Sequence, residues 1–396
     1  MRPDRLLKFL SGFCSIACAP LRGQQPARAA GRQIRRAASL VFGLCALAQA
    51  GMAGGARANP FEYAWTNLAT GVWAAIRQDP FELPQEGNAV FVVTEQGVVL
   101  FDAGGSPAMG EAIVAKVRSV TSQPITHVVL SHWHGDHMRG LQSIRAAFPG
   151  VEILAHPHAR DLIVATRDRW LKRRVTMAPN IRKAVGGALA NGQDLSGRPL
   201  IPQERAWLEK GLAATEQLDL ENNLTAYVVP TATFEERLTL YLGGREIQFL
   251  RLGNAHTAGD LILWLPQEKI VATGDVVTAP IPLMPSAYTG DYAATLARIK
   301  ALGFRALVPG HGPVQSDSTY LDLVSDTIRL VSTQMKDLVA RGLGQEDAVA
   351  KIDLAGVETR FTHGDPFLTN RFRDYLSGLP EAAYAVATGK DPEETF

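Results

Sequence analysis

From Asn59 onward the sequence predicts an α/β fold. Three observations point there: short apolar runs of β type, helical-period segments interleaved with them, and turn residues between the two. With 396 residues, 46% of them hydrophobic and 20% charged, the chain can hold two average domains or one large domain with additions. A formal net charge of +1 gives no overall argument for nucleic acid or an anionic surface. No internal repeat of solenoid period is visible.

The elements follow in order. Asn88–Val93 and Gly97–Asp102 flank Thr94-Glu95-Gln96 and read as a hairpin. Asp102 closes the second strand ahead of Ala103-Gly104-Gly105. Ala108–Val120 has helical periodicity, with Ser106 as a cap and Pro107 in the first turn. Thr126–Leu130 is a strand, Leu141–Phe148 a helix and Glu152–Ala155 a further strand. Strands resume at Thr239–Leu242 and Glu246–Arg251, then at Leu261–Leu265 and Lys269–Ala272 around Pro266-Gln267-Glu268. A helix from Tyr292 to Leu302 precedes the strand Ala306–Val308. Residues 159–235 exceed what such a core needs and read as a helical insertion. Asp317–Arg341 and the segment beyond Phe367 read as helices on the outside of the core.

Residues 131–137, Ser-His-Trp-His-Gly-Asp-His, carry the most chemistry. His132 and His134 are two apart, so an extended segment points both imidazoles to one side. Asp136 and His137 are consecutive and need a turn to act together, which Gly135 permits. One loop leaving a buried strand can thus serve one metal and a neighbour. Chance clustering on a surface is the bland alternative, at below roughly one in ten as a prior. Taken alone, His256 reads as a turn or core histidine and Asp275 as a turn or cap residue. His311 sits between two glycines, which allow a backbone to approach a metal closely.

The first 58 residues differ from the rest. Arg32, Arg35 and Arg36 precede an apolar stretch, Ala37–Ala50, followed by small residues with sites at Ala48-Gln49-Ala50 and Ala56-Arg57-Ala58. Basic, apolar and small, in that order, is the layout of a secretory signal. The stretch falls short of the ~20 residues a spanning helix needs. A second apolar segment, around Leu6–Leu21, suits a true start further along the chain. Twin-arginine export through Arg35-Arg36 fits the flanking residues poorly. We therefore expect cleavage near Ala50 or Ala58, a periplasmic or secreted product, and no stable transmembrane segment in the mature chain. Cys14, Cys18 and Cys45 all fall in this leader, so the mature chain has only nitrogen and oxygen to offer a metal.

Five stations in this order resemble the metallo-β-lactamase superfamily. They are Asp102 in Leu-Phe-Asp-Ala-Gly, the His-x-His-x-Asp-His run, His256 in Ala-His-Thr-Ala-Gly-Asp, Asp275 in Thr-Gly-Asp, and His311 in Pro-Gly-His-Gly. The resemblance covers roughly Asn88–Gln315, apart from the insertion. It implies an αββα sandwich, two mixed β-sheets with flanking helices, and a metal site along one edge. The chain then divides into a leader at 1–58, a hydrolase domain at 59–320 and a helical extension at 321–396. The resemblance also implies that His132, His134 and His256 hold a first metal. Asp136, His137 and His311 would hold a second, with Asp275 bridging both and Asp102 supporting the metal loop. Two Zn2+ ions are the expected cofactors; nitrogen and oxygen ligands are also compatible with iron or manganese.

The expected activity is that of an exported dinuclear zinc hydrolase cleaving an ester, lactone, thioester or amide bond, β-lactams included, with a metal-bound hydroxide. Asp136 is the expected catalytic residue, orienting the nucleophile or passing a proton to the leaving group. Asp275 at the bridging position resembles the thioesterase (glyoxalase II) and lactonase branches, and the cysteine-free mature chain departs from the cysteine-liganded β-lactamases. A mononuclear iron dioxygenase acting on persulfides is the alternative. A non-catalytic binding protein is a third class, against which all seven ligand positions are filled. The partner is a small molecule; nucleic acid is not expected.

The remaining features carry weaker claims. Arg160, Arg167, Arg169, Lys172, Arg173, Arg174, Arg182 and Lys183, set against Asp161 and Asp168, read as a basic lid drawing in an anionic substrate or as a solvated helix face, the commoner outcome. Trp170 and Trp207 serve as pocket walls or, more commonly, as core. His127 reads as structural, His156 and His158 as surface residues. His363 reaches the site only if the segment around it folds back.

Overall fold

In the computed structural model, which describes residues 61–194 and 196–393, strand β4 (Gly97–Phe101) shows how the layers arise. All its side chains are buried, and they alternate: Val98 and Leu100 face a core shared with helices, while Val99 and Phe101 face a second sheet. A strand covered on both sides reads as a continuous apolar run, which is how this segment appears in the sequence. Strand β10 (Ile262–Leu265) mirrors it from the other sheet, with Leu263 and Leu265 inward and Ile262 and Trp264 toward helices. Phe101 and Phe249 stack across the interface with ring centres 6.2 Å apart. The expected leader and its three cysteines lie outside the described residues.

The first sheet has seven strands in chain order: β1 (Ala64–Ala69), β2 (Val72–Ile76), β3 (Ala89–Thr94), β4, β5 (Ile125–Val129), β6 (Glu152–Ala155) and β7 (Ala232–Thr233). Pairing is antiparallel from β1 to β4 and parallel from β4 to β7. The second sheet runs in the order β12 (Ala306–Val308), β11 (Ile270–Ala272), β10, β9 (Arg245–Leu250) and β8 (Arg237–Leu242). Only β11 and β12 pair in parallel there. Two mixed sheets thus pack face to face between outer helices, the sandwich that the sequence motifs imply.

Helices α1 (Pro107–Val120), α2 (Leu141–Ala147), α3 (Pro157–Asn191) and α4 (Pro202–Leu224) cover the first sheet. Ser106 caps α1 by accepting a 3.2 Å bond from the Met109 amide. The long pair α3 and α4 forms the bulk of the insertion. Its basic residues are largely engaged locally: Arg182 reaches Asp219 at 3.7 Å, Arg174 donates to the Thr225 carbonyl, and Arg160 donates to that of Pro230. Trp170 is buried against Tyr227 and Arg139, and Trp207 sits half-buried under Arg371, so both serve packing.

The second sheet is covered by α5 (Tyr292–Ala301), α6 (Thr319–Ala340), α7 (Gln345–Val349), α8 (Ala355–Thr362), α9 (Pro366–Tyr375) and α10 (Leu379–Ala387). His363 is exposed and ends α8 with a left-handed φ of 50°, so it takes no part in the site. The β1–β2 hairpin and the short β7 were not anticipated from the sequence. Among the described residues, no helix is long and apolar enough to cross a membrane.

Candidate metal centre

Each ligand-bearing loop leaves the end of a strand, and the two sheets contribute separately. After β5, Leu130 and Ser131 lead to His132 and His134, and a tight turn at Gly135–His137 presents Asp136 and His137. From the second sheet, His256 lies between β9 and β10, Asp275 in the turn Gly274–Val276 after β11, and His311 after β12. All seven side chains are buried. They form two groups: His132, His134, His256 and Asp275, and Asp136, His137, His311 and Asp275. Within each group the ligand atoms all lie within 4.8 Å of one another.

Asp275 belongs to both. Its Oδ2 faces His256 Nε2 at 3.6 Å and His132 Nε2 at 3.8 Å. Its Oδ1 faces His137 Nε2 at 3.1 Å and His311 Nε2 at 3.4 Å. Asp136 Oδ2 closes the second group, 3.1 Å from His311 Nε2 and 3.2 Å from His137 Nε2.

Supporting contacts fix which ring atom faces inward. Asp102 Oδ2 sits 2.9 Å from His137 Nδ1, and its Oδ1 accepts the Ser131 amide at 2.7 Å. To do both, Asp102 adopts φ 61°, a conformation costly for a residue with a side chain. Ser131 Oγ meets His132 Nδ1 at 2.9 Å, which leaves Nε2 for the site. Gly310 is required next to His311, because a Cβ there would come within 2.1 Å of Asp275 Oδ1.

The charges of the three first-group histidines suit ligation, while in the second group a bound cation would take the place of a proton on His137. Burial pushes His132, His134 and His256 down, His134 to about 3, so these imidazoles are neutral near neutral pH. Burial also disfavours charge on His137, but Asp136, Asp275 and Asp102 outweigh it and hold its pKa well above the usual histidine range. Burial acts to raise Asp136 and Asp275; their histidine neighbours overcome it and keep both well below the usual carboxylate range. His132 Nε2, His137 Nε2 and both oxygens of Asp275 are buried without a hydrogen-bond partner. Buried polar atoms normally have partners, and metal ions supply what these lack; the imidazole and carboxylate set suits a divalent cation.

The family follows from this geometry together with the chain comparison. The profile of the metallo-beta-lactamase superfamily matches residues 83–311. This chain belongs to that superfamily. Its relatives are distant. A linear primary-alkylsulfatase from Pseudomonas sp. (strain ATCC 19151) is 23% identical over 273 residues, 65% of this chain and 48% of that protein. The chain therefore spans about half the length of that relative. A metallo-beta-lactamase type 2 from Bacteroides fragilis is 24% identical over 251 residues, 62% of this chain and 75% of the relative. Among solved structures, the stereoselective inverting sec-alkylsulfatase Pisa1 from Pseudomonas sp. superposes with a TM-score of 0.53 at 17% identity, covering 82% of this chain and 50% of that one, a likeness of fold.

Several neighbours of the centre carry no motif. Asn88, just ahead of β3, donates to the carbonyls of Pro309 and Gly312, both at 2.9 Å, and so staples the His311 loop. Glu86 is buried near Asp136 and His311; burial pushes its carboxyl up to about 7 against the pull of Arg139. Its Oε2 fills the space a Cβ on Gly105 would take. His156 caps α3 instead of facing water, and His158 bonds Glu393. Asn88 left a trace in the sequence as a polar residue opening an apolar run, and His156 and His158 were read there as surface residues.

Proposed function

We propose that this chain is a dinuclear, zinc-dependent hydrolase of an ester-type bond: a carboxylic ester, lactone, thioester or amide, β-lactams included. The observation that carries the reading is Asp275, with one carboxylate oxygen turned to each group of ligands. A mononuclear iron dioxygenase needs only one such group; four buried side chains converging in the second support two metals instead. When bound, two divalent cations supply Lewis acidity and bring a water's pKa from ~15.7 toward roughly 7.

The chain's own residues do the rest. Asp136, in the second group, orients the nucleophile or passes a proton to the leaving group. Asp102 holds His137 with Nε2 inward. A crevice lined by Pro80, Phe81, Ala279, Ile281, Leu283 and Tyr375 has His311 in its wall. With Gln85 and Thr278 also in its lining and a free volume of about 10 Å³, it has room for a water-sized group and is too small to seat the unreacting part of a substrate. The basic–apolar–small order of residues 32–58 supports action in the periplasm or outside the cell.

The test combines metal counting with turnover on the mature protein. We expect two zinc ions per chain, loss of one in His134→Ala, and weakening of both in Asp275→Ala. Turnover is expected on one member of a panel of carboxylic esters, lactones, thioesters and β-lactams, to which the alkylsulfatase relatives add sulfate esters. Metal-loaded protein inert on the whole panel would overturn the hydrolase reading.

A further inference from the structure

We infer that Glu393, remote in sequence from every ligand, is a positioning residue for the first group, His132, His134, His256 and Asp275. The inference rests on the metal reading above. The segment Asp391–Glu393 follows α10 and places the Glu393 carboxylate, 7% exposed, among four donors. Oε1 accepts from Trp133 Nε1 at 2.9 Å. Oε2 accepts from the Ala258 amide at 3.1 Å and lies 2.8 Å from His158 Nε2 and 2.9 Å from the Tyr288 hydroxyl. Tyr288 is also 2.6 Å from Asp391 Oδ1, so its one proton serves either carboxylate.

These donors were not gathered at random. Trp133 stands between His132 and His134, and its ring packs 4.5 Å from that of His134. Ala258 follows His256 by two residues. The Tyr288 amide donates at 2.8 Å to the carbonyl of Ala255, immediately before His256. His158 adds the first turn of α3. One charged acceptor therefore fastens the two histidine-bearing loops of the first group to each other and to the insertion. Hydrogen bonds to a carboxylate are about twice as strong as neutral ones, so little freedom remains in either loop. None of the four donors is itself a ligand. The second group is braced elsewhere, by Asp102 on His137 and Asn88 on the His311 loop.

A carboxylate that merely pinned the chain end would lower the melting point and leave metal affinity alone. The discriminating measurement is Zn2+ affinity by chelator competition in a His311→Ala background, where the first group alone is complete. Glu393→Ala is expected to weaken Zn2+ there by about 10–100-fold, the usual effect of losing a ligand-orienting partner. Glu393→Gln keeps an acceptor for Trp133 and should recover most of it. Unchanged Zn2+ affinity with only a lower melting temperature would overturn the inference. If Glu393→Ala does not fold, Glu393→Gln is paired with Trp133→Phe, which keeps the ring on His134 and removes its donor. Trp133→Phe is expected to weaken Zn2+ and Glu393→Gln much less; a Trp133→Phe variant that binds Zn2+ as tightly as its parent refutes the clamp. Wild-type protein that binds no zinc overturns the metal reading and this inference with it. Two zinc ions in the wild type with an indifferent Glu393→Ala overturn this inference alone.

Discussion

Asp102, Gly310 and Asn88 show how single residues hold the centre without touching the chemistry. Asp102 accepts both from the loop backbone at Ser131 and from His137, from a left-handed backbone conformation. Asp102→Ala should lower the affinity of the second group by about 10–100-fold while leaving the first nearly intact, checked by stepwise zinc titration. Gly310→Ala places a methyl 2.1 Å from Asp275 Oδ1, and the neighbours of that contact include backbone of Gly274 and Asp275, which cannot step aside. It should cost affinity in both groups, since Asp275 serves both; a variant that binds two zinc ions normally would show that the loop yields. The seven side chains that gather in the two clusters were legible because each sits in a short motif at a strand end. Asn88, Tyr288 and Glu393 were not, because a lone polar residue gains its meaning only from a partner far away in the chain. His156 and His158 illustrate the same limit: beside Pro157 they read as surface residues, yet one caps a helix and the other meets a carboxylate 235 positions on.

At the level of elements, the strands with continuous apolar runs were visible within a residue or so of their ends, as β4, β6 and β12 show. The β1–β2 hairpin was not. Its first strand is only partly buried, with Thr66 and Asn67 facing solvent and a register shift between Asn67 and Ala69, so neither alternation nor an apolar run marks it. The insertion was expected to be helical, and its sequence left open whether the basic run is a lid or a solvated helix face. Arg174 and Arg182 instead bond to α4 and its end, a packing role that neither alternative anticipated. Trp170 is the anchor, buried at 7% exposure between Tyr227 and the Arg139 and Arg174 guanidinium groups. Trp170→Ala should destabilise the fold by about 3–5 kcal/mol, read from the urea midpoint, with turnover per folded molecule much less affected.

For the whole molecule, the sheet–sheet interface and the metal centre are one arrangement, because the ligands converge from strand ends of both sheets. Filling the centre should therefore raise the melting temperature as well as confer activity, and chelation should lower it. The Asp391–Glu393 segment adds a pH dependence of its own. Burial raises the Glu393 carboxyl, but bonds from His158, Trp133 and the Ala258 amide outweigh it and bring it to about 2 from an ordinary 4.5. That contribution is complete above pH 4.5 and is lost as the pH falls toward 2. The bond to Glu393 raises His158 above its ordinary 6.5, so its share is complete below 6.5 and fades as the pH climbs through the raised value. Docking should be firmest between those limits, and the indole N–H resonance of Trp133 would report it. A resonance indifferent to pH across both flanks would contradict the pairing.

The join between α3 and α4 has a further consequence. A protease cut there would leave His132, His134, Asp136 and His137 on one fragment and His256, Asp275 and His311 on the other. Neither piece would own a complete ligand group. A metal ion held there would then act as the glue of a split protein, so nicked material should hold together with zinc supplied and fall apart on a sizing column once a chelator is added.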